Sequence, residues 1–218
     1  GFGKSWIGSN WVIDRAKKYK EPIAIIGKNA ADVRDVQVEI GLSSILKLSP
    51  SWFKPEYQPS KRRLVWPNGV IGILYSAEDP DLLRGPQHGS AWCDEFCKFQ
   101  YPQELWDNLL FGLRLGSKPQ VVITTTPRPI KTLKQIAKDS KTVVTTGSTF
   151  ENRYNLAGIF LDEIKKRYDG TRLGRQELYG EILEDNPGAL FSYSNLDQYR
   201  ISKAPELKQV VIAIDPAV

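Results

Sequence analysis

The sequence has little histidine or cysteine and no long hydrophobic run, and each absence narrows what the chain can be. Its single histidine, His88, leaves too few ligands for Cys93 and Cys97 to complete a zinc site. Two cysteines are also too few for a disulfide framework, so both are expected to be reduced thiols in a cytosol-like compartment. No stretch approaches the ~18 consecutive apolar residues of a membrane-spanning helix, and the first residues lack the pattern of a signal peptide.

The composition is that of an ordinary globular protein. The 218 residues, 41% of them apolar and 25% charged, suffice for one core, or for one domain with a small appendage. A net charge of +5 permits a polyanionic partner without requiring one. Basic residues cluster at 61–63 and across 165–175, and each cluster by itself is more typical of a solvated face than of a DNA site.

Apolar runs alternate with helix-like segments along the chain, which predicts a mostly parallel sheet flanked by helices. The predicted helices are 5–20, 30–46, 102–115 and 131–138, and the predicted strands are 22–27, 89–93, 120–124 and 142–145. An Asn-Gly turn between 64–66 and 70–75 predicts a β-hairpin. The segments 156–168 and 172–183 are amphipathic and predict a small helical appendage, and 185–188 has the composition of a linker.

The first candidate site is the opening Gly1-Phe2-Gly3-Lys4-Ser5, which has the form of the second half of a phosphate-binding loop. Gly-Lys-Ser at the start of a helix directs backbone N–H groups and the positive end of the helix dipole at phosphates. In such a loop the lysine reaches the β- and γ-phosphates and the serine hydroxyl binds magnesium. The same tripeptide also occurs by chance, so it favours a nucleotide site without establishing one.

Two further motifs follow predicted strands. Asp94 and Glu95 end the strand 89–93, where one carboxylate suits magnesium binding and the other suits activation of a water molecule. Thr124, Thr125 and Thr126 end the strand 120–124, where hydroxyls suit a sensor of the γ-phosphate. Acidic pairs at strand ends are common, and threonine has a high strand propensity, so each motif taken alone is also compatible with a purely structural role.

Taken in order, the motifs resemble those of the large terminase subunits of tailed bacteriophages. The resemblance rests on Gly1 to Ser5, Trp92 to Phe96 and Thr125 to Pro129, and it continues through Gly147 to Asn152 and Gly180 to Glu184. It covers essentially the whole chain. Each piece is weak, and the ordered combination is specific.

The resemblance implies roles for individual residues. Gly1, Gly3, Lys4 and Ser5 match the Walker A positions, and Asp94 and Glu95 match Walker B, with Asp94 on magnesium and Glu95 as the general base. Thr124 to Thr126 match the coupling motif. Arg84 lies where some terminases place an arginine finger that serves the neighbouring subunit, although a salt-bridging loop residue is an equally good interpretation. The implied cofactors are ATP and Mg²⁺.

The resemblance also implies a domain organisation and partners. It implies a P-loop ATPase core at 1–147, a helical lid subdomain at 148–184, a linker at 185–209 and the first strand of a ribonuclease H-like nuclease at 210–218. In the longer parent protein Asp215 is expected to bind a nuclease metal ion. No nuclease activity is expected of this chain itself. The implied partners are double-stranded DNA, the portal protein, the small terminase subunit and further copies in a ring on the procapsid, in the host cytoplasm, with a monomer in isolation.

The sequence departs from the family pattern at its start. Members carry a strand and a glycine with a basic residue before the position of Gly1, and an adenine-contacting segment earlier still. The sequence is therefore either part of a longer protein, which we favour, or a fragment that binds nucleotide poorly. The missing strand is expected to leave a gap in the middle of the sheet.

Two other functions remain open from the sequence. One is a helicase or another nucleic-acid-dependent ATPase, although a helicase needs a second motor domain. The other is a non-enzymatic docking module in which Gly-Lys-Ser is accidental; it predicts no nucleotide binding. A small-molecule phosphotransferase has less support, because no acceptor-binding signature follows the phosphate loop.

Overall fold

A computed structural model describes residues 2–181 and Tyr199 of the chain. The strands are β1 (Ile23–Gly27), β2 (Glu56–Gln58), β3 (Arg63–Val65), β4 (Ile71–Ser76), β5 (Ser90–Asp94) and β6 (Gln120–Thr124). The α-helices are α1 (Lys4–Lys18), α2 (Ala30–Asp32), α3 (Ile45–Leu48), α4 (Pro102–Gly112), α5 (Lys131–Lys138), α6 (Gly158–Tyr168) and α7 (Arg172–Glu177). A π-helical segment, Val33–Glu39, continues α2, and 3₁₀-helices occupy Ser51–Phe53, Pro59–Lys61, Pro80–Leu83, Phe96–Lys98 and Thr149–Asn155.

The six described strands form one sheet in the order β2-β3-β4-β1-β5-β6. β1 pairs in parallel with β4 and β5, and β5 pairs in parallel with β6. β2 and β3 extend the sheet as antiparallel strands beside β4. The carboxyl ends of β5 and β6 therefore lie side by side at one edge of the sheet, where open α/β sheets place their ligands.

The core has two layers because successive side chains of the central strands point to opposite faces. On one face Ile23, Ile25 and Trp92 pack with Val12 and other residues of α1. On the other face Ala24, Ile26, Ala91 and Cys93 pack with Leu105 and Leu109 of α4. All five residues of β1 and of β5 are buried, as expected for parallel strands covered by helices on both sides.

Most of the predicted elements are confirmed. The structure has β6 and α5 with the predicted bounds, and β3 and β4 form the predicted hairpin around a glycine with φ of 85°, Gly69. The predicted helix 5–20 and the predicted strand 22–27 correspond to α1 and β1, each shifted or shortened by one or two residues. The helix predicted at 102–115 ends at Gly112.

The prediction of a single helix over 30–46 is wrong. The segment changes from α2 to a π-helical turn and stops at Glu39 before α3 begins at Ile45. The Ser44 hydroxyl donates to the carbonyl of Glu39 at 3.2 Å, so a side chain occupies an acceptor that a continuing helix would use. At Gly41 the backbone passes so close to Val36 that a Cβ atom would lie 2.6 Å from the Val36 carbonyl oxygen.

Two predictions about the strands of the sheet are also wrong. The described strands pair without interruption, so the sheet has no gap in its middle; instead β6, which pairs with β5 on one side, is the outermost described strand. The segment 142–145 is not a strand, and its Val143 side chain is 91% exposed. A strand needs a hydrogen-bonded neighbour, and the described residues provide none for this segment.

The appendage predicted after residue 147 is helical. The 3₁₀-helix Thr149–Asn155, α6 and α7 follow one another there, and Ser148 and Glu151 form a capping box at its start. α7 ends at Glu177, earlier than predicted. The linker-like segment 185–188, the predicted nuclease strand at 210–218 and Asp215 lie outside the described residues, and the predicted domain boundaries stay predictions. In the described part of the chain no helix combines the length and apolarity needed to cross a membrane.

Candidate functional site

The site is built around the amino-terminal end of α1. Gly3 precedes the helix with a left-handed backbone, φ 95° and ψ 20°, which glycine adopts without strain. Lys4 and Ser5 form the first turn, which contains no acidic residue. The first N–H groups of a helix have no partner within it, so this end offers donors and positive potential to an anion. Gly1 lies outside the described residues.

Two contacts join this helix end to the ends of β5 and β6. The Lys4 Nζ donates a hydrogen bond to the Thr126 Oγ1 at 3.3 Å. The Ser5 Oγ donates to the Asp94 Oδ2 at 3.5 Å. The three motifs, 89 to 122 residues apart along the chain, therefore meet at one place. Both bonds are long, so they leave Lys4 and Ser5 free to make stronger contacts with a ligand.

Asp94 is the most buried acidic group at the site, and it is 5% exposed. Burial raises its pKa, and the neighbouring Glu95 charge acts in the same direction. The hydrogen bond from the Thr124 hydroxyl to Asp94 Oδ1, at 2.6 Å, and the positive charge of Lys4 lower it. A buried carboxylate whose ionised form depends on nearby positive charge is suited to binding a cation.

Glu95 follows Asp94 in a conformation unusual for a residue with a side chain. Its φ of 55° and ψ of 42° lie in the left-handed region, a position that costs about 1 kcal/mol in a non-glycine residue. The turn starts the 3₁₀-helix Phe96–Lys98, and Lys98 Nζ lies 3.2 Å from Glu95 Oε2. Backbone strain of this kind is often concentrated at functional sites.

A further set of contacts ties the turn after Glu95 to the loop after β6. The Cys97 backbone N–H donates to the Thr125 Oγ1 at 3.0 Å, and the Arg128 N–H donates to the Cys97 Sγ at 3.4 Å. Both Cys93 and Cys97 are buried free thiols, and burial raises the pKa of Cys93. Two hydrogen bonds therefore link the turn after Glu95 directly to the loop after β6.

Arg84 is not part of this cluster within the described residues. Its Nε lies 3.0 Å from Asp81 Oδ1 and donates to Asn108 Oδ1 of α4 at 3.2 Å. Its side chain is 65% exposed and lines an open surface cavity of about 330 Å³ with Phe111 and Arg114. It is thus a salt-bridging loop residue here, and it stays accessible to a second molecule.

A cavity of about 460 Å³ borders the site at Lys4. Lys4 and Thr149 line it together with Phe160, Ile164 and Leu173, which come from α6 and α7. Cavities of this size with mostly apolar walls and few polar groups are typical of small-molecule sites.

The oxygen ligands available at the site fit magnesium. The Ser5 hydroxyl and the Asp94 carboxylate are hard oxygen ligands that face each other. The part of the chain that the structure describes holds no cluster of three or more potential metal-ligating side chains. Magnesium usually uses only one or two carboxylates and completes its shell with water and phosphate oxygens, so Ser5 and Asp94 would suffice to hold it.

The structure brings together most of the residues that the sequence singled out, namely Gly3, Lys4, Ser5, Asp94, Glu95, Thr124, Thr125 and Thr126. It also gives contacts to residues for which the sequence predicted no individual role. The indole N–H of Trp92 donates to the Thr124 hydroxyl at 2.7 Å, and Gly8 allows α1 to pack on this indole. The one available signal was a large aromatic residue within an otherwise small-residue strand.

The mixed sheet with its parallel centre, the glycine-preceded helix with its Lys-Ser turn, and the acidic strand end together define the chain as a P-loop NTPase fold. Solved structures agree. A large terminase from a thermophilic bacteriophage matches with a TM-score of 0.65 and 12% identity, over 81% of this chain and 45% of that one. The Thermus phage P74-26 large terminase ATPase domain matches with a TM-score of 0.57 and 14% identity, over 83% and 84%.

The family model described as terminase large subunit, T4likevirus-type, N-terminal, matches residues 1–198. The chain therefore belongs to the large terminase subunits of this type. No curated protein matches it significantly. The chain spans about 45% of the length of the first of the two solved terminases, which has also been solved with ATP-gamma-S and with ADP.

Proposed function

We propose that the chain is the ATP-hydrolysing motor of a large terminase that translocates double-stranded DNA into a procapsid. The observation that supports this most strongly is the meeting of Lys4, Ser5 and Asp94 at the amino-terminal end of α1. The similar terminase from a thermophilic bacteriophage was solved with ATP-gamma-S and with ADP. The cavity beside Lys4 has room for the nucleoside part of such a ligand.

In the proposed reaction, water attacks the γ-phosphorus in line with the bond to the β-phosphate oxygen, which leaves as ADP. Glu95 orients the water and accepts its proton, and Lys4 with the N–H groups of α1 neutralises the phosphate oxygens. Bound magnesium would supply further positive charge at those oxygens, held by Ser5 and Asp94. Arg84 of one copy would reach the γ-phosphate of a neighbouring copy, consistent with its exposed side chain.

The coupling of hydrolysis to movement is proposed to pass through Thr124 to Thr126. Lys4 contacts Thr126, and the loop that follows is tied to the turn after Glu95 through Cys97. Loss of the γ-phosphate would release Lys4 and Glu95 together, so both strand ends would respond to the same event. DNA, portal protein, the small terminase subunit and a ring of copies are the proposed partners, in the host cytoplasm, with a monomer in isolation.

Glu95→Gln in the full-length protein tests the proposal. Phosphate release is expected to fall by about 10²-fold or more, because glutamine cannot accept the proton, while ATP binding is retained. Glu104→Gln, an exposed glutamate of α4, is the matched control and should leave turnover unchanged. Wild-type turnover in Glu95→Gln would remove Glu95 from the mechanism.

The motor function is tested separately by ATP-dependent protection of DNA inside procapsids. The wild-type protein should package duplex DNA, and Glu95→Gln should not. Strand separation by the protein would favour a helicase instead, and a failure of the wild-type protein to bind ATP in calorimetry would favour a docking module.

A further inference from the structure

The indole of Trp92 is held rigidly between β5 and α1. Trp92 is completely buried in the middle of β5. α1 packs directly on it because residue 8 is glycine, where a Cβ atom would lie 2.1 Å from Trp92 Cε2. A ring confined in this way by close-packed neighbours keeps its N–H group at a fixed position.

This N–H group fixes the hydroxyl of Thr124. Trp92 Nε1 donates to Thr124 Oγ1 at 2.7 Å. An indole N–H can only donate, so it occupies a lone pair of the hydroxyl, whose own proton must then point to a different acceptor. The Asp94 Oδ1 lies 2.6 Å from the hydroxyl oxygen and the Cys93 carbonyl oxygen lies 3.4 Å from it, so the proton is donated to Asp94.

The hydrogen bond from Thr124 distinguishes the two oxygens of Asp94. Oδ1 is engaged by Thr124, whereas Oδ2 faces the Ser5 hydroxyl at 3.5 Å. A carboxylate held at one oxygen cannot rotate freely, and its other oxygen stays directed at the ligand site. Groups that orient a metal-binding side chain from behind commonly change metal affinity or activity by about 10- to 100-fold when they are removed.

We propose that Trp92 is a positioning residue that acts through Thr124 to hold Asp94 Oδ2 toward Ser5 and the magnesium–nucleotide complex. The proposal rests on the proposed ATPase function. It gives Thr124 a role within the hydrolytic site, in addition to the coupling role of the threonine run. It also explains why a bulky indole and a glycine face each other at the centre of this helix–strand contact.

A double-mutant cycle in the full-length protein tests the proposal, with ATP turnover measured as a function of Mg²⁺ concentration. Trp92→Phe keeps an aromatic ring and removes the N–H group, and Thr124→Val removes the hydroxyl at nearly constant shape. Each single variant is expected to raise the Mg²⁺ concentration for half-maximal turnover by about tenfold. The double variant should resemble Thr124→Val alone, because Trp92 acts only through Thr124.

Trp66→Phe is the matched control. Trp66 is also buried, 1% exposed, and its indole N–H has no hydrogen-bond partner among the described residues. This variant loses the same atoms from the same layer of the core, so it reports the effect of imperfect packing alone. Its Mg²⁺ dependence should equal that of the wild-type protein.

The indole ¹H–¹⁵N signal of Trp92 provides a second measurement that does not need the Trp92 variant to fold. It is expected to shift when Thr124 is replaced by valine and to stay in place when Thr124 is replaced by serine, which keeps the hydroxyl. An unshifted signal in Thr124→Val contradicts the proposal.

The kinetic outcomes separate the two hypotheses. If the wild-type protein hydrolyses ATP and Trp92→Phe has the same Mg²⁺ dependence as the wild type, the positioning role is overturned. The ATPase function is then left intact. Independent, multiplicative effects of the two substitutions also overturn it. Absence of any Mg²⁺-dependent turnover in the wild-type protein overturns both.

Discussion

α1, β5 and β6 contact one another through polar side chains at both of their ends, and the two ends are built differently. At the carboxyl ends of the strands, Lys4 and Ser5 make bonds of 3.3 and 3.5 Å with Thr126 and Asp94. At the amino ends, Arg15 donates to Ser90 Oγ at 2.6 Å and to three further acceptors, Gln120 Oε1, the Gly89 carbonyl and the Lys118 carbonyl, at 2.9 to 3.3 Å.

The two ends of α1 differ in whether their polar groups remain available to bind a ligand. Arg15 is 4% exposed, its donors are engaged by uncharged acceptors, and its guanidinium carbon lies 3.7 Å from the centre of the Tyr19 ring. These bonds and the ring contact offset the cost of burying a charge. The Lys4 end has longer bonds and an ionisable carboxylate, so it can exchange its partners for phosphate and a cation. We infer that the Arg15 end fixes α1 on the sheet and leaves the Lys4 end for the proposed chemistry.

The largest expected effect comes from Lys4→Met. ATP turnover by the full-length protein should fall by at least about 10³-fold, because in the proposed mechanism the Lys4 ammonium neutralises charge at the γ-phosphate. The free energy of unfolding should change by less than about 0.5 kcal/mol. Phosphate release and urea unfolding give the two values.

Lys18→Met, at the other end of the same helix, is the control for Lys4→Met. Lys18 forms an exposed ion pair with Asp14 at 2.9 Å, and pairs of this kind contribute about 0.5 kcal/mol or less. Its turnover should be that of the wild-type protein. A similar loss of turnover in both variants would contradict a special role for Lys4.

Arg15→Met is expected to have the opposite profile. Removing the guanidinium leaves four acceptors without their donor, so the free energy of unfolding should fall by about 3 kcal/mol. Turnover per folded molecule should stay within about twofold of wild type well below the melting temperature. The exposed Arg34, which pairs with Asp35, provides the control Arg34→Met, with no measurable change expected.

These two variants also show what could be predicted from sequence. Lys4, Asp94 and the threonines were predictable because each stands in a local motif whose chemistry can be recognised without its neighbours. β6 and α5 have clear local patterns, and their predicted bounds are confirmed. Parallel pairing then brings the ends of β5 and β6 together, so the grouping of the site followed from the fold class.

The role of Arg15 could not be predicted because its acceptors are distant in sequence. Ser90 and Gln120 lie 75 and 105 residues away, and two further acceptors are backbone carbonyls that no side-chain pattern reveals. An arginine in an amphipathic helix is ordinarily expected on the solvent side. The break near Gly41 was missed for a similar reason, because it depends on local hydrogen bonding that competes with the helix.

A third prediction concerns the pH dependence of stability, which we attribute to His88. This residue precedes β5 at the amino ends of the strands. Its Nε2 lies 3.0 Å from the Tyr75 hydroxyl, and burial lowers the pKa of His88 to about 4. In the unfolded chain the pKa is near 6.5, so below that pH the unfolded state takes up a proton that the folded state does not. The contribution of the neutral, buried His88 to stability is therefore fully present above about pH 6.5. As the pH falls toward 4 this contribution is lost, which lowers the free energy of unfolding by about 1–3 kcal/mol.

Urea unfolding at pH 7.5 and pH 5 measures this dependence. Carboxylates also contribute to any loss of stability in acid, so the informative quantity is the difference between the wild-type protein and His88→Gln. The variant should lose less stability between the two pH values, since glutamine does not titrate. Equal losses in both proteins would show that His88 is not the group responsible.

The smallest expected effects come from two serines at opposite ends of α1. Ser5 belongs to the first turn of α1, and Ser90 of β5 contacts Arg15 near the other end of the helix. Ser90→Ala removes the acceptor of the 2.6 Å bond from Arg15 and should lower the free energy of unfolding by about 1 kcal/mol, with turnover unchanged. Ser5→Ala removes a long, half-exposed bond and should leave stability unchanged while it raises the Mg²⁺ requirement of turnover.

Urea unfolding and Mg²⁺ titrations of the two serine variants complete the comparison between the ends. If both lowered stability and neither changed the Mg²⁺ requirement, the two ends would be equivalent structural contacts. If each variant changes only its own property, the polar contacts at the two ends of α1 have separate functions. The same helix would then be anchored at Arg15 and available at Lys4 to follow the state of the nucleotide.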